Sequence, residues 1–304
     1  MNISLENVNL KSNSGPNYFA QKLVNYLSLR GDTFSENMPY DVKLCFIESH
    51  SHRSNIPMVQ RLDGIYFNAN FDCDRMNSNI KRTYEMSQAV VFQTDFNKDL
   101  IFNWFGEHPN YEIIRNGFDK IMLDVFSPDL NIVKKLSNYE NVWSCAASWH
   151  AFKRLEDNVN YFLQHSGPDD CLVVAGSSPD YIVDDQRVLY MGNLNTTQLL
   201  TLYKISKYFL HLAYLDHCPN VVVDAAALGC TVICSSAGGT KEVAGKNAIL
   251  IQEEQWDFNF LDIKVPPKLD YNKKTNNAYD QSITMTKTAK KYHTLLKETG
   301  AMNE

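Results

Sequence analysis

Apolar and polar residues alternate in NISLENV at the start of the chain, with Ile3 and Leu5 on one face, and this predicts a strand. Past a KSNSGPN turn the period changes. Phe19, Leu23, Tyr26 and Leu27 recur every three or four residues, predicting an amphipathic helix closed by Gly31. The same switch repeats downstream. Extended runs DVKLCFIE (41–48) and PMVQRLDGIYF (57–67) lead to a helix over 79–89, the strand VVFQT, the helix FNKDLIFNWFG and the strand YEIIRNG. Pro128 and the charged, Asn-bearing stretch 126–140 then break the pattern, which marks an interdomain linker.

The alternation restarts with strand NVWSCAAS, helix RLEDNVNYFLQHS, strands CLVVAGS and RVLYMG, and helix TTQLLTLYKIS. It continues through strand YFLHLAY, helix PNVVVDAAALG, strand TVICSS and a Gly-Gly turn into TKEVAG. Strands alternating with helices predict parallel sheets covered on both faces. Because the pattern occurs twice, the expected fold is α/β: two Rossmann-like domains facing a cleft, spanning 1–128 and 129–265. Residues 266–304 form a polar segment and a C-terminal helix (282–298). Open parallel sheets bind ligands beyond the carboxyl ends of their strands, so the loops that follow strands are where chemistry is sought.

Composition narrows the function classes. An apolar fraction of 44% and a charged fraction of 21% describe an ordinary folded protein. A net charge of -6, with Lys and Arg scattered, excludes the basic face that nucleic acid requires. Seven cysteines without a CxxC pair read as buried reduced thiols in a cytoplasmic protein. The N-terminus lacks a signal-peptide pattern, and no apolar run approaches the roughly 20 residues of a spanning helix. No transmembrane segment is expected, and peripheral membrane contact stays open.

Four loops carry candidate chemistry. In DHCPNVVVDAAALG, Asp216 stands in a strand exit, Pro219 suits a helix start, and Asp224 lies about one turn inside. Backbone N–H groups near Asn220 and Val221 can bind phosphate, and Asp224 can accept from vicinal hydroxyls such as a ribose's. The plainer alternative is a solvated Asp216 and an Asp224 that complements the helix dipole. In SWHAFKRLED, Lys153 and Arg154 sit between strand and helix, either as solvated cations or facing a diphosphate. Gly238 and Gly239 in SAGGTKEV let the backbone approach a ligand closely. In RLDG, Asp63 is either a turn residue or a group that holds or deprotonates a hydroxyl.

Other motifs carry less. NSGPN has one glycine, so a dinucleotide fingerprint is absent, which counts against a dehydrogenase. His50 and His52 lack a third ligand, and the Asp-x-Asp of FDCDR is too short to carry a metal site; none is expected.

Taken in order, these pieces resemble a retaining glycosyltransferase of the GT-B fold, similar to family 4. The resemblance rests on NSGPNYFAQKLVNYLSLRG, RLDG, VVFQTDF with IIRNGFD, SWHAFKR, LVVAGS, VLYMGNL and DHCPNVVVDAAALGCTVICSSAGGTKEV. It implies that Lys153 neutralises a donor diphosphate, Asp216 touches the donor sugar and Asp224 holds the ribose. Arg154 and backbone at Pro219, Asn220 and Val221 would contact phosphate or sugar, backbone at Met191 and Gly192 the base, and Gly15 would open the first loop to phosphate. Both glutamates of the family's Glu-x7-Glu pattern are aspartates here, and Ala147 occupies the slot of its usual arginine.

The resemblance further implies transfer from a UDP- or GDP-linked sugar to a glycan or other hydroxyl acceptor, with no metal or other cofactor. A nucleotide-sugar epimerase of the same fold and a non-catalytic nucleotide-sugar- or glycan-binding module are the alternatives.

Overall fold

The computed structural model describes residues 1–12, 14–35, 39–51, 55–279 and 283–301, and these form two compact units. The first contains Met1–Asp119, Asp257–Leu261 and Ile283–Glu304; the second contains Lys120–Trp256 and Asp262–Ser282.

The first unit begins β1 (Asn2–Glu6), α1 (Gly15–Ser28), β2 (Thr33–Phe34), β3 (Val42–Phe46) and β4 (Met58–Leu62). It continues α2 (Cys73–Met86), β5 (Ala89–Phe92), α3 (Asp95–Phe105) and β6 (Tyr111–Ile113). Its sheet is parallel throughout, in the order β2-β1-β3-β4-β5-β6. Every residue of β3, β4 and β5 is buried, as strands covered on both faces must be. Helix α2 starts at Cys73, earlier than its apolar period shows, because Asp72 caps it by accepting from the Arg75 N–H at 3.1 Å. The Asp-x-Asp of FDCDR is thus a helix cap with Asp74 in the first turn.

The second unit opens with a short helix, α4 (Lys120–Val125), and the stretch 126–140 read as a linker carries another, α5 (Leu130–Leu136). Then come β7 (Val142–Ala146), α6 (Leu155–His165), β8 (Cys171–Ala175), β9 (Val188–Gly192), α7 (Thr196–Ile205) and β10 (Ser206–His211). The unit ends with α8 (Asn220–Ala227), β11 (Thr231–Ser235), β12 (Ile249–Ile251) and β13 (Lys274–Asn276). The sheet order is β13-β12-β11-β10-β7-β8-β9, parallel except where β13 pairs with β12. Trp143, Val159, Phe162, Leu172, Leu210 and Ile233 form its core.

Helix α9 (Met285–Gly300) belongs to the first unit's core through Met285, Ala289, Tyr292 and Leu296. The Tyr292 ring lies 6.0 Å from that of Phe19, and His293 Nδ1 meets Asp32 Oδ2 at 2.7 Å. The segment Asp257–Leu261 also lies on this unit: Ala69 N–H donates to the Leu261 carbonyl, and the Trp104 indole to that of Phe258, both at 2.9 Å.

All seven cysteines are buried and unbridged, and burial pushes the thiols of Cys171, Cys230 and Cys234 up to about 12. Among the described residues, no helix is long and apolar enough to cross a membrane.

One glycine is dictated by packing next to the loops of interest. Gly176, past β8, has φ +117°, and a Cβ there would clash with the Ala147 carbonyl oxygen at the exit of β7. Gly176→Ala is expected to destabilise the second unit by about 3 kcal/mol, read as a lowered urea midpoint.

Candidate functional site

The order of the second sheet points to a candidate site. The chain runs outward from β7 through β8 to β9, then returns to the other side of β7 with β10, β11 and β12. The reversal falls between β7 and β10, and ligands of such sheets bind where the order reverses. The loops leaving these two strands hold Lys153 and Asp216.

Lys153 closes a short 3-10 turn, Ala151–Lys153, before α6. The Tyr214 N–H donates to the Phe152 carbonyl at 2.7 Å, fastening this turn to the exit of β10. Lys153 Nζ then donates to Asp216 Oδ2 at 2.5 Å. His211, the last residue of β10, brings Nε2 within 2.9 Å of the same oxygen, and Asp216 Oδ1 accepts from the His217 N–H at 3.0 Å. Burial works against charge on Asp216, but Lys153 and His211 outweigh it and hold the carboxyl well below the usual carboxylate range. The aspartate is therefore an ion-paired, ordered group rather than a solvated loop residue.

A third loop closes on this pair. Gly238 has φ +79°, and a Cβ there would meet the Asp216 carbonyl oxygen and Leu215 Cα at 2.8 Å. The Gly239 N–H donates to the Asp216 carbonyl at 2.7 Å. The glycine pair was expected to admit a ligand; Gly238 in fact admits the backbone of the Asp216 loop.

Helix α8 follows with Pro219 at its N-cap and no side-chain cap, so its positive dipole end lies four residues or fewer from Asp216 in the chain. Asp224 is 6% exposed, on the buried side of α8. Met191 is half-buried and Gly192 exposed at the carboxyl end of β9, on the same sheet edge, and the Gly176 N–H donates to the Gly192 carbonyl at 2.8 Å.

Arg154 does not join these groups, contrary to its expected contact with the donor. Its backbone is left-handed, with φ 52°, and its guanidinium runs into the domain. There Nη1 and Nη2 meet the two Glu253 carboxylate oxygens at 2.8 and 2.7 Å, and they also donate to the carbonyls of Leu212 at 3.2 Å and Pro267 at 2.6 Å. With both terminal nitrogens committed and Nε buried as well, the guanidinium is not presented to a phosphate.

In the first unit, Asp63 follows β4 and is paired with buried Arg61, whose Nη1 donates to Oδ1. Gln93, at the exit of β5, donates to the same oxygen, and Arg61 Nη2 donates to Asn116 at 3.1 Å. The guanidinium packs over the Phe19 and Phe46 rings at 4.2 and 5.1 Å. Asp63 Oδ2 has no hydrogen-bond partner among the described residues. A carboxylate oxygen in this position is suited to accepting a hydroxyl's hydrogen bond. Gly15 opens α1, and a Cβ there would meet nothing within 4 Å, so packing does not require the glycine.

Among the described residues no group of three or more His, Cys, Asp or Glu side chains is arranged to hold a metal ion. His50 is exposed, and His52 lies outside the described residues. The sequence reading did not single out His211, His217, Glu253 or Arg61.

The buried histidines set an acid limit. Burial, with Lys153 adding to it against the opposing pull of Asp216, pushes His217 down to about 4, and burial likewise lowers His211. For a histidine lowered by folding, the unfolded chain binds more protons between the two values, so stability is retained above the ordinary value near 6.5 and falls as pH drops toward 4. The depressed Asp216 acts in the same direction. The second unit is expected to lose stability steadily from pH 7 to pH 4.5 in urea titrations, with a shallower slope in His217→Asn.

Residues 150–258, which hold all three of these loops, match the family model described as glycosyl transferases group 1. No curated protein matches the chain. Among solved structures, sucrose-phosphate synthase from Thermosynechococcus elongatus is 13% identical, with a TM-score of 0.66 over 99% of this chain and 96% of that one. A glycosyltransferase from Rickettsia africae is 12% identical, with a TM-score of 0.66 over 98% of each chain. HepE of Anabaena, solved in complex with UDP-glucose, is 14% identical, with a TM-score of 0.61 over 80% of this chain and 82% of that one. At these identities the structural likeness speaks for the fold. The chain therefore resembles the group 1 glycosyltransferases, matching their model over residues 150–258 and sharing the two Rossmann-like domains of the GT-B fold.

Proposed function

We propose that the protein transfers a sugar from a nucleotide-sugar to a hydroxyl acceptor, a glycan being the expected class, with retention of anomeric configuration and without a metal. The observation that carries this reading is the Lys153–Asp216 pair at the sheet's switch point, beside the start of α8. On donor binding, Lys153 exchanges Asp216 for the diphosphate, and the α8 N-terminus, entered through Pro219, supplies backbone donors at Asn220 and Val221. Asp216, released from Lys153 but still held by His211, accepts from the sugar's hydroxyls. Asp224 takes the ribose, and Met191 and Gly192 flank the base.

In the reaction the sugar's C1–O bond to the diphosphate breaks as the acceptor oxygen bonds C1 on the same face, and the acceptor's proton passes to a phosphate oxygen. Lys153 and the helix dipole stabilise the charge left on the diphosphate, the part a metal would otherwise play. In the first unit, Asp63 accepts a hydrogen bond from the acceptor hydroxyl, and Gly15 keeps the loop before α1 open to phosphate. UDP-linked donors are the first choice because HepE, which shares the fold, was solved with UDP-glucose.

A thermal-shift screen of UDP, GDP and ADP and their glucose conjugates tests the donor. A true donor at 100 times its Kd stabilises the folded state by about 2.7 kcal/mol, and NMR of the product then reads the anomer. An isomerised donor without acceptor would establish an epimerase instead, and donor binding without turnover a non-catalytic module.

A further inference from the structure

We infer that Arg154 is a positioning residue that holds Lys153 in place through a buried clamp to Glu253; this rests on the reading of Lys153 as the cation that faces the diphosphate. A left-handed arginine is sparsely populated and persists only where its surroundings hold it. Here the side chain is 1% exposed and forms both bonds of a bidentate pair with Glu253, itself 3% exposed. Such a fork fixes orientation as well as distance, which a lysine at the same place would not do.

The clamp gathers several strand exits around one guanidinium. Arg154 reaches the exit of β10 through the Leu212 carbonyl and that of β12 through Glu253. Ser235, the last residue of β11, donates its hydroxyl to Glu253, and the Glu253 N–H donates to Ser236 Oγ at 2.8 Å. Asn158 completes it: its amide donates to the carbonyls of Lys153 and Arg154 at 3.2 and 2.7 Å, while its oxygen accepts from the Leu212 N–H at 3.2 Å. Lys153 is thus pinned on one side by the Phe152–Tyr214 backbone bond and on the other by Arg154. With Ala147 in the slot of the family's usual arginine, Lys153 is the lysine of this loop that faces the phosphate, so its placement governs turnover and, to a smaller degree, donor affinity.

The test uses the full chain with its lysines reductively 13C-methylated and the Lys153 NMR signal assigned through Lys153→Arg. In Arg154→Met, and in Glu253→Gln, which keeps the shape and most hydrogen bonds, the Lys153 signal should move toward those of exposed lysines while the others stay. UDP affinity should weaken about tenfold or more, and kcat/KM for UDP-glucose should fall about a hundredfold. Guanidinium chloride at low millimolar concentration should restore part of the loss in Arg154→Gly. A folded Arg154→Met or Glu253→Gln protein with an unmoved Lys153 signal would overturn the clamp. A wild-type protein that neither binds UDP nor turns over any donor would instead overturn the functional reading, while the Lys153 signal still decides the clamp.

Discussion

Lys153→Ala is expected to lower kcat/KM for the nucleotide-sugar by about 10²- to 10³-fold, the usual cost of removing one preorganised group that stabilises developing charge. The loss should fall mainly on kcat, because charge on the diphosphate grows as the C1–O bond breaks and only then is the cation most needed. Steady-state kinetics on Lys153→Ala and Lys153→Arg separates the two parameters. Arginine keeps the charge but not the reach or the single-point geometry, so it should recover part of the loss. The coupling to Asp216 sharpens the expectation. With Lys153 gone, Asp216 keeps, among the described residues, His211 and the His217 N–H as partners, and its carboxyl should titrate closer to the ordinary range.

Glu253→Ala is expected to destabilise the second unit by about 3–5 kcal/mol, because it strands a charged guanidinium that is 1% exposed. The desolvation of that cation is what the carboxylate offsets. Urea unfolding followed by tryptophan fluorescence reads this directly, since Trp143 and Trp149 are both buried in the second unit. Replacing both partners, in Arg154→Met with Glu253→Leu, should be far less damaging than either single change, as removal of a whole buried pair often is.

Much of the architecture was legible because burial imposes period: uninterrupted apolar strands and three-to-four-residue helix stripes gave both sheets their main members. Strand β2, with two residues, and β13, with three exposed ones, were not, since neither carries a periodic signal. The start of α2 was missed for a different reason. The signal lay in the capping Asp72, whose Asp-x-Asp was weighed only as a metal motif and set aside, not as a helix start. The C-terminal helix was legible over 282–298, but not the core that receives it; Tyr292 against Phe19 answers that.

In the candidate site, Lys153 and Asp216 could be singled out because each follows a strand, and the sheet order then brings their loops together. The role of Arg154 could not be read. Nothing local marks a non-glycine residue as left-handed, and its partner Glu253 is 99 residues away. The same holds for Asp63: the basic residue that governs it, Arg61, sits two positions earlier in a strand whose every residue is buried. His211 looked like one more strand residue until the fold placed its ring against Asp216.

The central claim is that the loops around Lys153 and Asp216 hold a nucleotide-sugar and release its diphosphate. Coupled detection of nucleoside diphosphate release from UDP-, GDP- and ADP-glucose, by the wild type and by Lys153→Ala side by side, tests it most directly. The account predicts release from at least one donor by the wild type and a rate at least about a hundredfold lower in the variant. Release from none of them, or an equal rate from both proteins, would contradict it.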